Sequence, residues 1–153
     1  MSEEHLLVDG YSILHQWDEL KRDRIRSLAA GRRRLVQLLT QFHDCRPGSL
    51  TVVFDGRSGA AGGDEVGSGI EVIYSRKGQS ADALIERMVG GSGRPQTFLV
   101  ATDDRAERGV IEGLGGRTIS ADDLRLMVAA ELKELSRTLE VNRARNLRFA
   151  RRR

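Results

Sequence analysis

A chain of 153 residues with 39% hydrophobic and 31% charged residues has the size of one domain and enough length to bury a core, which excludes disordered, collagen-like and disulfide-scaffold classes. The net charge of +3 is uneven: residues 137–153 hold seven Arg and one acid, Glu140, a local +6 that leaves −3 on residues 1–136. No apolar run approaches the ~18 residues of a membrane span, Cys45 is the single cysteine, and the acidic start MSEEHLLVDG lacks the basic region of an export signal. The expected setting is a reducing cytoplasm without a membrane partner.

Apolar runs and helical patterns alternate along the chain. His5–Asp9 reads as a first strand, Leu50–Asp55 as a second, Ile70–Ser75 as a third, Thr97–Ala101 as a fourth and Arg117–Ile119 as a short fifth. Their near-continuous apolar character suits parallel strands covered on both faces. Between the first two, Ile25, Leu28, Leu35, Leu39 and Phe42 share one helical face, with Arg32, Arg33 and Arg34 expected outward. Ser80 is placed to cap a helix to about Val89, and Thr102 another to about Leu114. Ser120 with Asp123 opens the last helix, on which Leu124, Val128, Leu132, Leu135 and Leu139 form a stripe that fades after Val141. Strand–helix alternation predicts a three-layer α/β/α sandwich with a mainly parallel sheet of four to five strands. The division expected is a domain over residues 1–139 and an Arg-rich tail over 140–153. Two readings fit that tail: contact with a polyanion, or a solvated helix end. Glycine-rich Gly56–Gly69 reads as either a flap beside a site or a tolerated insertion, and Gly90–Pro95 as a loop.

In an open α/β sheet, ligands bind beyond the carboxyl ends of the strands. Asp9 ends the first strand, Asp55 the second, Asp103 and Asp104 follow the fourth, and Asp82 opens the helix after the third. An Asp after a strand or at a helix start is ordinarily a turn or cap residue. Several acids sent to one edge repel one another unless a cation neutralises them. Hard oxygen donors suit Mg²⁺ or Mn²⁺, and a carboxylate-held ion suits phosphodiester chemistry. His5, His15 and His43 show no metal spacing; there is no Gly-x-Ser-x-Gly elbow and no GxxxxGK[ST] loop.

The ordered series Leu7-Val8-Asp9-Gly10-Tyr11-Ser12-Ile13, Val53-Phe54-Asp55, Val72-Ile73-Tyr74-Ser75, Ser80-Ala81-Asp82-Ala83-Leu84-Ile85-Glu86 and Ala101-Thr102-Asp103-Asp104-Arg105-Ala106-Glu107 resembles the YacP-like branch of the NYN domains, in the PIN-like nuclease superfamily. The resemblance covers about residues 5–136. It implies a PIN-like fold and a Mg²⁺- or Mn²⁺-dependent endoribonuclease; this branch includes a ribosome-associated nuclease that cuts mRNA, so RNA and the ribosome are the implied partners. Asp9, Asp82 and Asp104 match the family's metal-binding acids. Asp55 matches the acid after the second strand and Glu86 an acid one helical turn beyond Asp82. Asp103 adds a carboxylate or a cap. Where the family signature has Asn after the Tyr, this chain has Ser12, whose shorter hydroxyl performs only part of an amide's role.

Arg57, Arg76 and Lys77 flank the acidic edge and either steer RNA or solubilise loops. Arg105, Arg143, Arg145 and Arg148 are further candidates for RNA contact, and Tyr11 either stacks on a base or packs. Trp17 suits a core or rim anchor. Two other functions compete with the nuclease: a non-catalytic RNA- or ribosome-binding module, motivated by Ser12, and a metal-dependent phosphohydrolase of small phosphate esters.

Overall fold

Alternation of side chains along the strands decides the layering. In the computed structural model, which describes residues 4–56 and 69–151, five strands form one all-parallel sheet in the order β3-β2-β1-β4-β5. They are β1 (His5–Asp9), β2 (Ser49–Phe54), β3 (Glu71–Tyr74), β4 (Phe98–Ala101) and β5 (Arg117–Ile119). Leu6, Val8, Leu50, Val52, Phe54, Leu99 and Ala101 face one side, and Leu7, Val53, Phe98 and Val100 face the other. Each side is sealed by helices, giving the expected three-layer α/β/α arrangement.

The first face carries α1 (Gly10–Gln16), α2 (Lys21–Arg26), α3 (Leu28–Asp44) and the start of α6 (Ala121–Arg151). Trp17, buried to 1% exposure, joins these layers, and its Nε1–H donates to the Ala121 carbonyl at 2.8 Å. The second face carries α4 (Ala81–Gly90) and α5 (Arg105–Gly113), through Ala81, Ile85, Val89 and Ile111.

The sequence pattern did not show α1. The chain enters this helix at Gly10, immediately after β1, and the Phe54 side chain lies so close to that residue that a Cβ there would overlap its ring. The helix expected before β2 is broken at Ser27, whose hydroxyl accepts from the Ala30 amide and caps α3. Ile25, before that break, is therefore 76% exposed, while Leu35, Leu39 and Phe42 are fully buried as expected. Arg33 and Arg34 face outward, but Arg32 is buried, with its guanidinium 3.3 Å from the Tyr11 hydroxyl.

Asp104, not Thr102, caps α5, its carboxylate accepting from the Ala106 and Glu107 amides. Ser80 caps α4 and Ser120 opens α6 by bonding to the Asp123 amide, both as expected. The apolar stripe of α6 outruns the body that it packs on. Leu124 and Val128 are buried and Leu132 is half-buried, whereas Leu139 is 57% exposed. The helix continues in the open as far as Arg151. Among the described residues no helix is long and apolar enough to cross a membrane. Most of the Gly56–Gly69 stretch, with Arg57, lies outside the described residues.

Candidate active site

The strand order places a topological switch between β1 and β4: the chain builds outward through β2 and β3, then crosses back to β4 on the other side of β1. At such a point the flanking connections diverge and leave a crevice. A cavity of about 390 Å³ lies here, lined by Asp9, Tyr11, Ser12, His15, Gln16, Asp55, Ala81, Asp82 and Asp104. Four carboxylates from four chain segments thus face one recess.

Asp9 is the deepest of them. Burial raises its pKa above the ordinary value, and the nearby charge of Asp82 pushes the same way. Opposing these are hydrogen bonds from Glu107, the Ser12 amide and Thr102. The Thr102 hydroxyl is 2.8 Å from Glu107 Oε2 and 3.4 Å from Asp9 Oδ2, and it accepts from the Asp104 amide at 3.2 Å. Its one proton is shared between the two carboxyl groups, closer to Glu107.

Glu107 completes a carboxyl pair with Asp9. It is buried to 1% exposure, and its pKa is pushed up to about 9, first by burial and then by the charge of Asp9. Two ionised carboxylates in contact inside the protein would repel strongly, so one proton is shared and Glu107 keeps it near neutrality. Glu107 Oε1 is buried with no hydrogen-bond partner among the described residues, as suits a carboxyl that is not ionised. Sequence reasoning did not place Glu107 in the site. The available signal was its position three residues after the cap Asp104, the spacing of a capping box.

The remaining candidates separate clearly. Asp103 does not line the cavity; its carboxylate accepts from the Ala121 amide at 2.8 Å and ties down α6. Its own amide donates to Ser12 Oγ at 3.0 Å, so Ser12 bridges the β1 and β4 connections. Glu86 is half-buried on α4 and lines no part of this recess. Tyr11 lines it, its ring packed 5.2 Å from that of Phe54 and its hydroxyl beside Arg32. Arg76, Lys77 and Arg105 are exposed outside the recess, and Arg143, Arg145 and Arg148 are exposed along α6.

Residues 6–152 match the family model of the YacP-like NYN domain. The chain belongs to that family. The match runs from β1 to the end of α6 and so includes the Arg-rich segment. The YacP protein of Bacillus subtilis (strain 168) is 28% identical over 137 residues, which cover 88% of this chain and 78% of the relative. A crystal structure of Rae1 (YacP) from Bacillus subtilis, the W164L mutant, superposes with a TM-score of 0.80 at 27% identity, covering 92% of this chain and 84% of that one. A second Rae1 (YacP) crystal structure gives 0.73 at 25% identity, with 94% and 83% covered. The YacP-like NYN domain is of nuclease type, and the parallel sheet described above is the fold shared with these neighbours.

The donor chemistry of the cavity fits a hard divalent cation. Its acidic lining residues are all Asp, and no cysteine lines it. Among the described residues no three His, Cys, Asp or Glu side chains are drawn together closely enough to hold one ion. Mg²⁺, however, is commonly held by one or two carboxylates and keeps several waters. An open cavity with Asp9 and Asp82 in electrostatic range of each other suits that water-rich mode.

Proposed function

We propose that the chain is a metal-dependent endoribonuclease that hydrolyses RNA phosphodiester bonds. The observation that supports this most is the convergence of Asp9, Asp55, Asp82 and Asp104 on one open cavity at the switch point of a nuclease-type fold. Asp9, Asp82 and Asp104 are the residues that would hold Mg²⁺ or Mn²⁺. Bound there, the ion supplies charge neutralisation at the phosphate and a lowered pKa for water.

The protein's own groups prepare the site. The Ser12 amide and Thr102 hold Asp9 in place. Glu107 keeps its proton and so limits repulsion behind Asp9. The amides of α5 fix the Asp104 carboxylate. The family resemblance extends the reading to mRNA at the ribosome as substrate.

A non-catalytic RNA-binding module is the second reading. It is favoured by the absence, among the described residues, of three carboxylates drawn together for one ion and by Ser12 standing where the family has Asn.

The deciding experiment is a time course on end-labelled RNA with Mg²⁺, Mn²⁺ or EDTA. The nuclease reading expects cleavage with either ion, none in EDTA, and loss of cleavage in Asp82→Asn. Retained RNA binding without cleavage under every condition would favour the module. Turnover of a chromogenic phosphomonoester with RNA left intact would favour the small-ester phosphohydrolase.

A further inference from the structure

A second recess adjoins the acidic one. It has a volume of about 500 Å³ and is lined by Arg76, Lys77, Gly78, Gln79, Ser80, Ala83 and Arg87. The lining has three cations, no acid and no aromatic ring. The two recesses lie on either side of the first turn of α4: Ala81 and Asp82 line the acidic one, while Ser80 and Ala83 line the basic one. They lie on opposite faces of that turn, so only the width of one helix separates them, about 10 Å.

The loop that carries Arg76 and Lys77 is built, not slack. Gly78, at φ +85°, turns the chain so that the Gln79 amide donates to the Arg76 carbonyl at 2.9 Å, a turn that needs positive φ at its third residue. Ser75 is buried beneath it. The Ser75 hydroxyl donates to the Gln79 carbonyl at 2.7 Å and accepts from the Gly56 amide at 2.9 Å. Arg87 comes from the adjacent turn of α4, four residues after Ala83. Two elements therefore present three positive side chains beside the acidic cavity.

We propose that this basic recess is the exit track for single-stranded RNA, binding the phosphates next to the scissile one through Arg76, Lys77 and Arg87. The proposal rests on the nuclease reading for the position of the scissile phosphate. A strand leaving the acidic cavity must bend over the narrow ridge of α4, which a flexible single strand does at little cost and a stiff duplex does not. Cations without a stacking surface read the backbone and not the bases, so the track is sequence-neutral.

The test is fluorescence anisotropy of a labelled single-stranded RNA of about 12 nucleotides, titrated with the full chain in EDTA at a series of salt concentrations. Arg76→Gln, Lys77→Gln and Arg87→Gln are combined in one variant. A control variant neutralises Arg22, Arg26 and Arg33, all exposed on the opposite face of the sheet. The slope of log affinity against log salt should shrink by about 2 in the first variant, on the rule of about 0.7 per phosphate contact, and stay unchanged in the control. Arg87→Gln alone should lower it by about 0.7, which keeps the test intact should the triple variant fold poorly. An unchanged slope in the triple variant, an equal fall in the control, or a duplex of the same length that binds as tightly overturns the track. RNA binding with the expected slope change but no cleavage by the wild type would sink the nuclease reading and leave the basic recess standing. Cleavage with an unmoved slope would do the reverse.

Discussion

The switch-point cavity and the outer half of α6 concentrate charge in opposite ways. In the cavity, acids arrive from the ends of β1 and β2 and the starts of α4 and α5, and the deepest one is fixed by a backbone amide, a hydroxyl and a protonated neighbour. On α6, arginines sit on one exposed helix whose buried residues are confined to Ala121, Leu124 and Val128. Chemistry at a reacting phosphate requires charges whose positions are determined in advance. Affinity for a polyanion requires only that charges be present and accessible. The cavity meets the first requirement, and the arm meets only the second.

The largest expected effect comes from removing one fixed charge. Asp9→Asn should lower the RNA cleavage rate by about a hundredfold or more, since losing even a supporting group around a bound ion costs about 10–100-fold. Its metal-free melting temperature should not fall, because the substitution removes a charge that burial and the nearby Asp82 disfavour. Cleavage kinetics and a thermal melt in EDTA check both halves.

The arm should behave differently. Deleting residues 140–153 removes six arginines but no buried side chain among the described residues. The maximal cleavage rate should stay within about twofold, while the salt slope of RNA affinity shrinks by up to about 0.7 for each lost contact. A slope equal to that of the full chain would make the arm a solvated end.

The carboxyl pair gives the cavity a pH signature that the arm lacks. Glu107 holds its proton up to about 9 in the folded protein, above its ordinary value of 4.5. The folded state therefore binds more protons than the unfolded state between those values, and stability must fall as pH rises through that window. Melting temperatures of the metal-free protein should decline from pH 5 to pH 9, and Glu107→Gln should flatten the decline. A profile equally steep in the variant would remove the shared proton from the account.

Much of this was legible in the sequence. Near-continuous apolar runs placed all five strands within a residue or so, and the Asp residues after β1, β2 and β4 indicated the edge where a site would form. What remained hidden depends on contacts distant in sequence. Position 10 requires glycine because Phe54, 44 positions later, lies against it. Arg32 is buried with its guanidinium donating to the Tyr11 hydroxyl and lying over the Tyr74 ring. Glu107 joins the site because Thr102 and Asp9 meet it across the sheet edge. The stripe on α6 was read correctly as helical, but periodicity alone does not tell where the packing body ends. It stops short of Leu139.

The smallest expected effect concerns Ser12. Its hydroxyl accepts from the Asp103 amide, a bond that an Asn side-chain carbonyl can also accept. Ser12→Asn adds an amide donor at the cavity wall and should raise single-turnover cleavage a few-fold with RNA affinity unchanged. A slower variant would assign Ser12 a role that Asn does not fill.

Everything proposed for the cavity requires that its carboxylates hold a divalent cation. Electron paramagnetic resonance of Mn²⁺ titrated into the metal-free protein reports this without reference to RNA, because the free aqueous ion gives a signal that binding removes. The wild type should deplete that signal saturably, and Asp9→Asn should weaken the binding by about tenfold or more. An undiminished free-ion signal with the wild type, or identical depletion by the two proteins, would contradict the assignment of this cavity as the metal centre.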